Sequence, residues 1–516
     1  MRALRVGFSI IALLLVTACA SLPSLSGRTP SYAVDYTANT RLGLAFDASE
    51  EAHPSSDAFA LLPNAIDALV ARLVLAEAAD RTLDLQYYIW HDDLTGRKLG
   101  ASVLRAADRG VRVRILLDDL GTNADDQLLL ALDSHPNVQI RLFNPVAGRT
   151  FKKLSALFEF ARINRRMHNK AMIADNEAAI IGGRNIGDEY FGASTTVGFG
   201  DLDVLVHGPV VRDVSKAFDQ FWNSDAAYPI ATLVGKRAKS DALPALRAKV
   251  DAYLASEESS DYMQEAKRRI SPLAQNGNAG FTWGQAKLLY DDPTKIERAR
   301  TDDEGHLITQ FREMNLRPTH SMLVVSPYFV PGKDGLDWLN DMSRRGVDVK
   351  VLTNSLAATD VAAVHAGYRR YRETLLEDGV QLFELRPDPD EGPTHKSTFG
   401  SSHASLHAKT YVFDRQTVFI GSMNLDARSV ELNTEIGLYC MSPEIAAQVA
   451  DGIESQLNRT AWHVELQPDA QGAAHLVWLQ TEPDGSVVQY RTEPGASDMR
   501  RIEVWFLGLL PIESQL

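Results

Sequence analysis

Two distant stretches of the chain carry the same reactive side chains at the same spacing. His168, Lys170, Asp175, Gly182, Gly183 and Asn185 lie in MHNKAMIADNEAAIIGGRN, and His407, Lys409, Asp414, Gly421, Ser422 and Asn424 lie in LHAKTYVFDRQTVFIGSMN. At average residue usage one such six-position match arises by chance in about one in 10⁵ chains of this length. A histidine beside a lysine is a poor metal site, because an ammonium repels a dication and metal ligation calls for His-x-His or Cys-x-x-Cys spacings. The pair suits an anion instead. Two such pairs brought together would surround a phosphodiester with two ring nitrogens and two ammonium groups. One imidazole could then attack phosphorus while the other protonates the leaving alkoxide. This chemistry calls for no metal and no cofactor.

Each phrase must be held by a hairpin. Ala171 to Ala174 and Ala178 to Ile181 are apolar runs around Asp175-Asn176, and Thr410 to Phe413 and Val418 to Ile420 run around Asp414-Arg415. Side chains two apart on a strand point the same way, so His168 and Lys170 share a face, as do His407 and Lys409.

These residues are the signature of the phospholipase D superfamily, which the chain strongly resembles. The resemblance implies that His168 is the nucleophile of a covalent phosphohistidine and His407 the general acid, with the reverse order equally open because both motifs are complete. It implies that Lys170, Lys409, Asn185 and Asn424 hold the non-bridging oxygens, where charge builds in the transition state, and that Asp175 and Asp414 brace the site. Glu435 in LNTEIGLYC and Asp201 in FGDLDVLVHG are candidates to orient the imidazoles, Asp203 competing with Asp201. Arg162, Arg165 and Arg166 beside Lys170 form a basic run that favours an anionic substrate entrance, against the alternative of a solvated face.

The repetition extends beyond the motifs. Leu83 to Trp90, a helical pattern to Gly110, and Val111 to Leu117 match Met322 to Val330, a helix to Gly346, and Val347 to Leu352. Leu202 to Val206 leads into a helix ending near Trp222, as Ile436 to Tyr439 leads into one ending near Leu457. The expectation is an α/β fold of two phospholipase D-like halves, each a mixed β-sheet flanked by helices, related by a pseudo-two-fold with the active site at their interface. The halves should span 60–228 and 280–460, joined by a helical segment, 229–279, that packs on the outside. Tyr87, Tyr88, Trp90, His91, Tyr328, Phe329 and Pro331 would line the seam or serve as strand packing. Asp118-Asp119 reads as a loop feature. In 461–516 a hairpin turns at Asp484-Gly485, and Ile502 to Ile512 forms an apolar tail suited to an interfacial contact or to docking on the core.

At 516 residues the chain exceeds one ordinary domain, and its net charge of −14 disfavours tight non-specific adhesion to nucleic acid. Met1 to Arg5 is basic and Val6 to Val16 is too short to span a bilayer comfortably. With Val16-Thr17-Ala18-Cys19 this resembles a bacterial lipoprotein signal, 1–18, in which Cys19 is acylated; an ordinary secreted signal is the alternative. Residues 19–59 form a tether and N-terminal segment, its Ser/Pro-rich part running from Ser21 to Ser31. A periplasm-facing, lipid-anchored envelope protein is expected, with a lean toward the outer membrane. Cys440 reads as a small buried hydrophobe.

Stretches such as LTNSLAATDVAAVHAGYRRYRETLLEDGVQLFEL and FIGSMNLDARSVELNTEIG look like the bacterial cardiolipin synthase C group of the superfamily. That likeness implies transfer of a phosphatidyl group between glycerophospholipids, with phosphatidylethanolamine and phosphatidylglycerol as donor and acceptor. Two motifs in one chain make a monomer sufficient for one site. The alternatives are a phosphodiesterase releasing phosphatidic acid, a nuclease of the same superfamily, and a non-catalytic lipid-binding envelope protein.

Overall fold

The computed structural model describes residues 21–122, 125–194, 198–275, 280–387 and 404–516. The signal reading of 1–18 and the acylation of Cys19 fall outside the described residues. The described residues form twenty strands: β1 (Asp57–Leu62), β2 (Thr82–Tyr87), β3 (Arg112–Asp118), β4 (Val138–Phe143), β5 (Ala171–Ala174), β6 (Ala178–Gly182), β7 (Gly198–Gly200), β8 (Asp203–His207), β9 (Ala227–Pro229), β10 (Thr282–Tyr290), β11 (Ser321–Val325), β12 (Asp348–Asn354), β13 (Gln381–Leu385), β14 (Ala404–Leu406), β15 (Lys409–Phe413), β16 (Thr417–Gly421), β17 (Ile436–Met441), β18 (Ala461–Pro468), β19 (Ala474–Thr481) and β20 (Val487–Tyr490).

Eighteen of them form one sheet. Pairing runs β9-β4-β3-β2-β5-β6-β8-β1 through the first half, crosses from β1 to β10, and continues β17-β16-β15-β11-β12-β13-β18 through the second, with β19 and β20 added at the far edge. Read outward from the seam, each strand of one half has a counterpart in the other, and the seam pair β1–β10 is antiparallel, as a two-fold requires. The parallel steps β2-β3-β4 and β11-β12-β13 use helical crossovers. The crossover helices Leu94–Asp108 and Gly332–Arg344 are each followed by a left-handed glycine, Gly110 and Gly346, that turns the chain into the next strand.

Helices Val210–Asn223 and Pro443–Thr460 present Val211, Val214, Phe218 and Phe221, and Ile445, Val449, Ile453 and Leu457, at helical spacing. Both stripes enter one core that also takes strand residues from both halves, so the sheet face beneath them is sealed across the seam. The opposite face carries a separate core in each half.

The connecting segment is helical, Ile230–Val234, Ala242–Glu257 and Asp261–Gln275, and the second of these helices has no buried residue. Residues from Arg28 onward, including part of the tether stretch, lie on the first half: the Arg28 guanidinium donates to the carbonyls of Asn223 and Ala227, and the Ala33 N–H to Asp219. The C-terminal tail docks on the core along one face only. Helix Asp498–Gly508 docks through Val504 beside Leu356, Ala362 and Ala366, while Trp505, Phe506 and Leu509 stay exposed.

Candidate active site

The two motif hairpins turn on Asp175-Asn176 and Asp414-Arg415, all four with positive φ. Each aspartate makes that turn tenable by accepting backbone N–H groups from the start of a neighbouring strand. Asp175 takes those of Asp80, Arg81 and Thr82 at 2.7–2.9 Å, and Asp414 those of Thr319, His320 and Ser321 at 2.8–3.0 Å. Both carboxylates therefore sit at the turn end of the hairpin, away from the histidine end. They brace the hairpin rather than the reacting groups.

At the other end each histidine is held by the opposite half. The His168 N–H donates to the Thr434 carbonyl (2.8 Å), and the His407 N–H to the Gly200 carbonyl (2.8 Å). A parallel bridge Met167–Thr434 and the short parallel pair β7–β14 secure the two crossings. The side chains cross as well. His168 Nδ1 lies 2.8 Å from Glu435 Oε2, and His407 Nδ1 lies 2.6 Å from Asp201 Oδ2. Register makes the two carboxylates counterparts: Asp203 pairs with Gly182 and Gly437 with Gly421, and Asp201 and Glu435 each stand two residues earlier. Asp203 is taken by Arg72 (2.9 Å) and Arg184 (3.2 Å), which settles its competition with Asp201.

The glycines of the motif set the approach of these carboxylates. A Cβ on Gly183 would fall 2.1 Å from Asp201 Oδ1, so only glycine admits the short aspartate. In the second motif Ser422 stands in that place, and its hydroxyl donates to Glu435 Oε2.

Lys170 and Lys409 are buried, and each ammonium donates to the carbonyl of its own motif's histidine. Three N–H donors per ammonium leave capacity for an anion. Asn185 accepts from the Ile89 N–H (3.1 Å) while its Nδ2 stays buried without an acceptor; Asn424 holds Ser429 and leaves its Oδ1 unpaired. Tyr88 packs edge-on against the His168 ring (5.2 Å) and beneath the Lys170 ammonium, and Tyr190 and Phe199 pack against the His407 ring at 5.2 and 5.1 Å.

Burial and the two ammonium groups push both imidazoles down, His168 well below its usual value and His407 to about 4. Each is depressed by the lysine of the other half as well as its own, so the four groups share one electrostatic neighbourhood. Burial also lowers Lys170 strongly and Lys409 to about 8. A bound anion would reverse these shifts. The carboxylates differ: burial raises Glu435 to about 7, whereas His407, Lys409 and Arg184 outweigh burial and hold Asp201 at about 2.

The guanidiniums of the basic run beside the first motif are paired within the protein. Arg166 is buried and donates to both oxygens of Asp118 at 2.8–3.0 Å, Arg162 pairs with Glu159, and Arg165 donates to backbone carbonyls of 295–298. Sequence spacing cannot reveal that these guanidiniums find partners from other elements. Asp118, expected to be a loop feature, also accepts the Met167 N–H (3.0 Å) and so positions the motif from behind, while Asp119 binds Arg149 and Lys152. Tyr87 is core, donating to nothing in the site but bonded to Arg72, and Phe329 is core too; Tyr328 reaches Asp360 (2.8 Å), and Pro331 precedes helix Gly332–Arg344. Tyr190, in the short helix Asp188–Phe191, Phe199, in the three-residue strand β7, and Thr434, in a single bridge, went unread in the sequence because elements this short carry no periodicity. Among the described residues one trio of His/Asp/Glu side chains stands close enough to share an ion, His91, Asp93 and Glu189, outside the motifs. Cys440 is fully buried.

The family described as "Cardiolipin synthase, PLD-like domain" matches residues 73–222 and 314–457. The chain is 41% identical to cardiolipin synthase C of Escherichia coli (strain K12) over 472 residues, 89% of this chain and 96% of that protein. It is 26% identical to cardiolipin synthase A of Pseudomonas entomophila (strain L48) over 384 residues, 74% of this chain and 65% of that one. The crystal structure of phosphatidylserine synthase from Haemophilus influenzae Rd KW20 shares the fold, with a TM-score of 0.54, 15% identity, and coverage of 81% of this chain and 92% of that one. The two matched segments take in both histidine motifs, and the chain belongs to the cardiolipin synthase, phospholipase D-like family.

Proposed function

We propose that this protein is a phosphatidyltransferase that makes cardiolipin from two glycerophospholipids through a phosphohistidine. The observation that carries the reading is the crossed pair of Nδ1–carboxylate contacts, which commits Nδ1 of each imidazole to a carboxylate and assigns the phosphorus chemistry to Nε2, with both motif ammonium groups buried and each held on its own histidine's carbonyl. In the first step the His168 Nε2 lone pair forms the N–P bond, the P–O bond to the donor headgroup breaks, and the His407 Nε2–H proton goes to the departing alkoxide. In the second, His407 takes the proton from the acceptor hydroxyl, the new O–P bond forms and the P–N bond breaks. Lys170, Lys409, Asn185 and Asn424 hold the non-bridging oxygens. The assignment of nucleophile and acid follows the carboxylates: Asp201, fully ionised, favours a proton on His407, and Glu435, balanced near neutrality, favours it less on His168.

Phosphatidylethanolamine and phosphatidylglycerol are the proposed donor and acceptor, supported by the likeness to cardiolipin synthase C. Among the described residues no helix is long and apolar enough to cross a membrane. Contact with a bilayer is instead assigned to an acylated Cys19 and to two exposed apolar groups, Trp505, Phe506 and Leu509 on one side and Phe151, Leu157, Phe158 and Phe160 on the other. They flank a bridge in which Asn164 bonds Gln515 (2.8 Å) and Arg428 bonds both segments. Incubation of the purified protein with vesicles of phosphatidylethanolamine and phosphatidylglycerol, followed by mass spectrometry of the lipids, tests the reading. Cardiolipin is the expected product; phosphatidic acid alone would mark a hydrolase, and cleavage of added DNA without lipid turnover a nuclease.

A further inference from the structure

Behind the first-half site lies a cavity of about 380 Å³ between the β3–β4 face of the sheet and helices Leu94–Asp108, Asp126–Asp133 and Ala242–Glu257. One part of its wall is aliphatic, Ile115, Leu117, Leu129, Leu132, Leu246 and Val250, and Asp92, Asp93, Arg97 and Asp125 add charged groups to the lining. Protein interiors keep few voids larger than a water molecule, and an apolar void stays dry. A space of this size is therefore shaped for an apolar guest rather than for solvent. Its volume falls in the range of ligand pockets.

The rim adjoins, along the chain and through one ion pair, the rings that pack on both imidazoles. Trp90 and His91 line it, two and three residues beyond Tyr88, whose ring packs on His168. His91 Nδ1 also lies 3.1 Å from Glu189, and the next residue, Tyr190, packs on His407. The outer wall is helix Ala242–Glu257, which buries no residue of its own. It is pinned on either side of the cavity: Arg247 pairs with Asp108 (2.7–2.8 Å), and the Tyr253 ring lies under the Arg97 guanidinium (4.2 Å). Leu246 and Val250, one turn apart on this helix, face the space.

The geometry points to this cavity as the binding site for a fatty acyl chain of the glycerophospholipid whose phosphate enters the site, with helix Ala242–Glu257 as its outer wall. This rests on the phosphatidyltransferase reading, since a phosphate buried between the imidazoles must draw its apolar tail out of the bilayer. A slot with aliphatic walls, whose rim residues Trp90 and His91 follow closely on the Tyr88 that packs against His168, receives that tail. Each methylene seated there strengthens binding about fourfold until the slot is full.

Gly100 supplies the test. It lines the cavity in the middle of helix Leu94–Asp108, and a Cβ added there meets no atom within 4 Å. Leucine also suits a helix interior better than glycine, so Gly100→Leu should fold and unfold at no lower a temperature. Lyso-phosphatidylglycerols with chains of increasing length, kept below their critical micelle concentrations, are titrated into the wild type and into Gly100→Leu, and transfer is assayed with diacyl donors of the same lengths. The proposal expects affinity to climb with chain length and then level off, the levelling to come at a shorter chain in Gly100→Leu, and kcat/KM for long relative to short donors to fall at least tenfold. Wild-type affinity that ignores chain length, or profiles that coincide in the two proteins, would overturn it. A shifted binding profile without any transfer product would sink the phosphatidyltransferase reading and leave the acyl site standing. Transfer with an unshifted profile would do the reverse.

Discussion

In the first half the imidazole of His168 faces Glu435, a buried carboxyl that also accepts the Ser422 hydroxyl and sits near neutrality at about 7; in the second, His407 faces Asp201, a shorter carboxylate admitted by Gly183 and held ionised at about 2. The backbones that present these groups match strand for strand, and each brace crosses the seam. What differs is one side-chain length, one hydroxyl and the Arg184 guanidinium, whose place in the second motif is taken by Met423. A pseudo-two-fold can thus keep both histidines in register and still give one of them the firmer hold on a proton. The difference teaches that unlike roles need not come from unlike folds.

Replacing the histidines gives the largest expected effect. His168→Ala and His407→Ala should each reduce transfer by about 10⁴-fold, measured as cardiolipin formed in vesicles. A donor whose leaving alcohol is acidic, such as p-nitrophenol, separates them, because it departs without a proton: it should restore release of the leaving group in His407→Ala and not in His168→Ala. Equal rescue of both would erase the distinction between the halves.

The carboxylates come next, at about 10²-fold each. Ionised Glu435 accepts the His168 Nδ1–H and leaves Nε2 with its lone pair; protonated, it donates to Nδ1 and favours the other tautomer. The acid limb of the pH–rate profile is therefore set near the Glu435 value of about 7. Glu435→Gln should move that limb to lower pH. Asp201→Asn removes a negative charge that raises His407, so in the substrate complex, where the bound phosphate lifts His407 from its resting value of about 4, His407 loses its proton sooner and the alkaline limb of kcat should move to lower pH. The kcat/KM profile checks the first sign and the kcat profile the second.

Steric and hydrogen-bond support should rank below these. Gly183→Ala places a Cβ against Asp201 and should reproduce part of the Asp201→Asn shift, whereas Ser422→Ala removes one donor from Glu435 and should raise the acid limb slightly. A Gly183→Ala profile identical to wild type would mean that Asp201 does not depend on that close approach.

The smallest effect on activity belongs to the turn aspartates, where the halves differ in stability instead. Asp175 is fully buried with three N–H donors, and Asp414 is partly exposed. Asp175→Asn should cost about 1–3 kcal/mol, and Asp414→Asn less, read from denaturant unfolding with transfer activity per folded molecule largely kept.

The motifs were legible because their reacting groups lie within one hairpin, where spacing along the chain is spacing along a strand. The repetition of strand, helix and strand around them was enough to read two α/β halves. Asp201 could not be separated from Asp203 in the sequence, because the link from Asn185 to β8 is longer than that from Asn424 to β17, and only sheet register restores the correspondence. The seam strands β1 and β10 were also unread: one is six residues long and the other begins Thr-Trp-Gly-Gln, without clear alternation. With them went the crossing of the braces, which depends on how the halves meet. Arg166 and Asp118 show the same limit, since each would pass for a surface charge until its partner from another element is known.

The central claim is that the first-half imidazole becomes covalently bonded to phosphorus while the second-half imidazole moves protons. Its most direct test is to mix His407→Ala with the p-nitrophenyl donor, quench in alkali, and locate the adduct by peptide mass spectrometry. The account predicts a phosphatidyl group on His168 and none in the same treatment of His168→Ala; an adduct on another residue, or one that persists when His168 is gone, would contradict it.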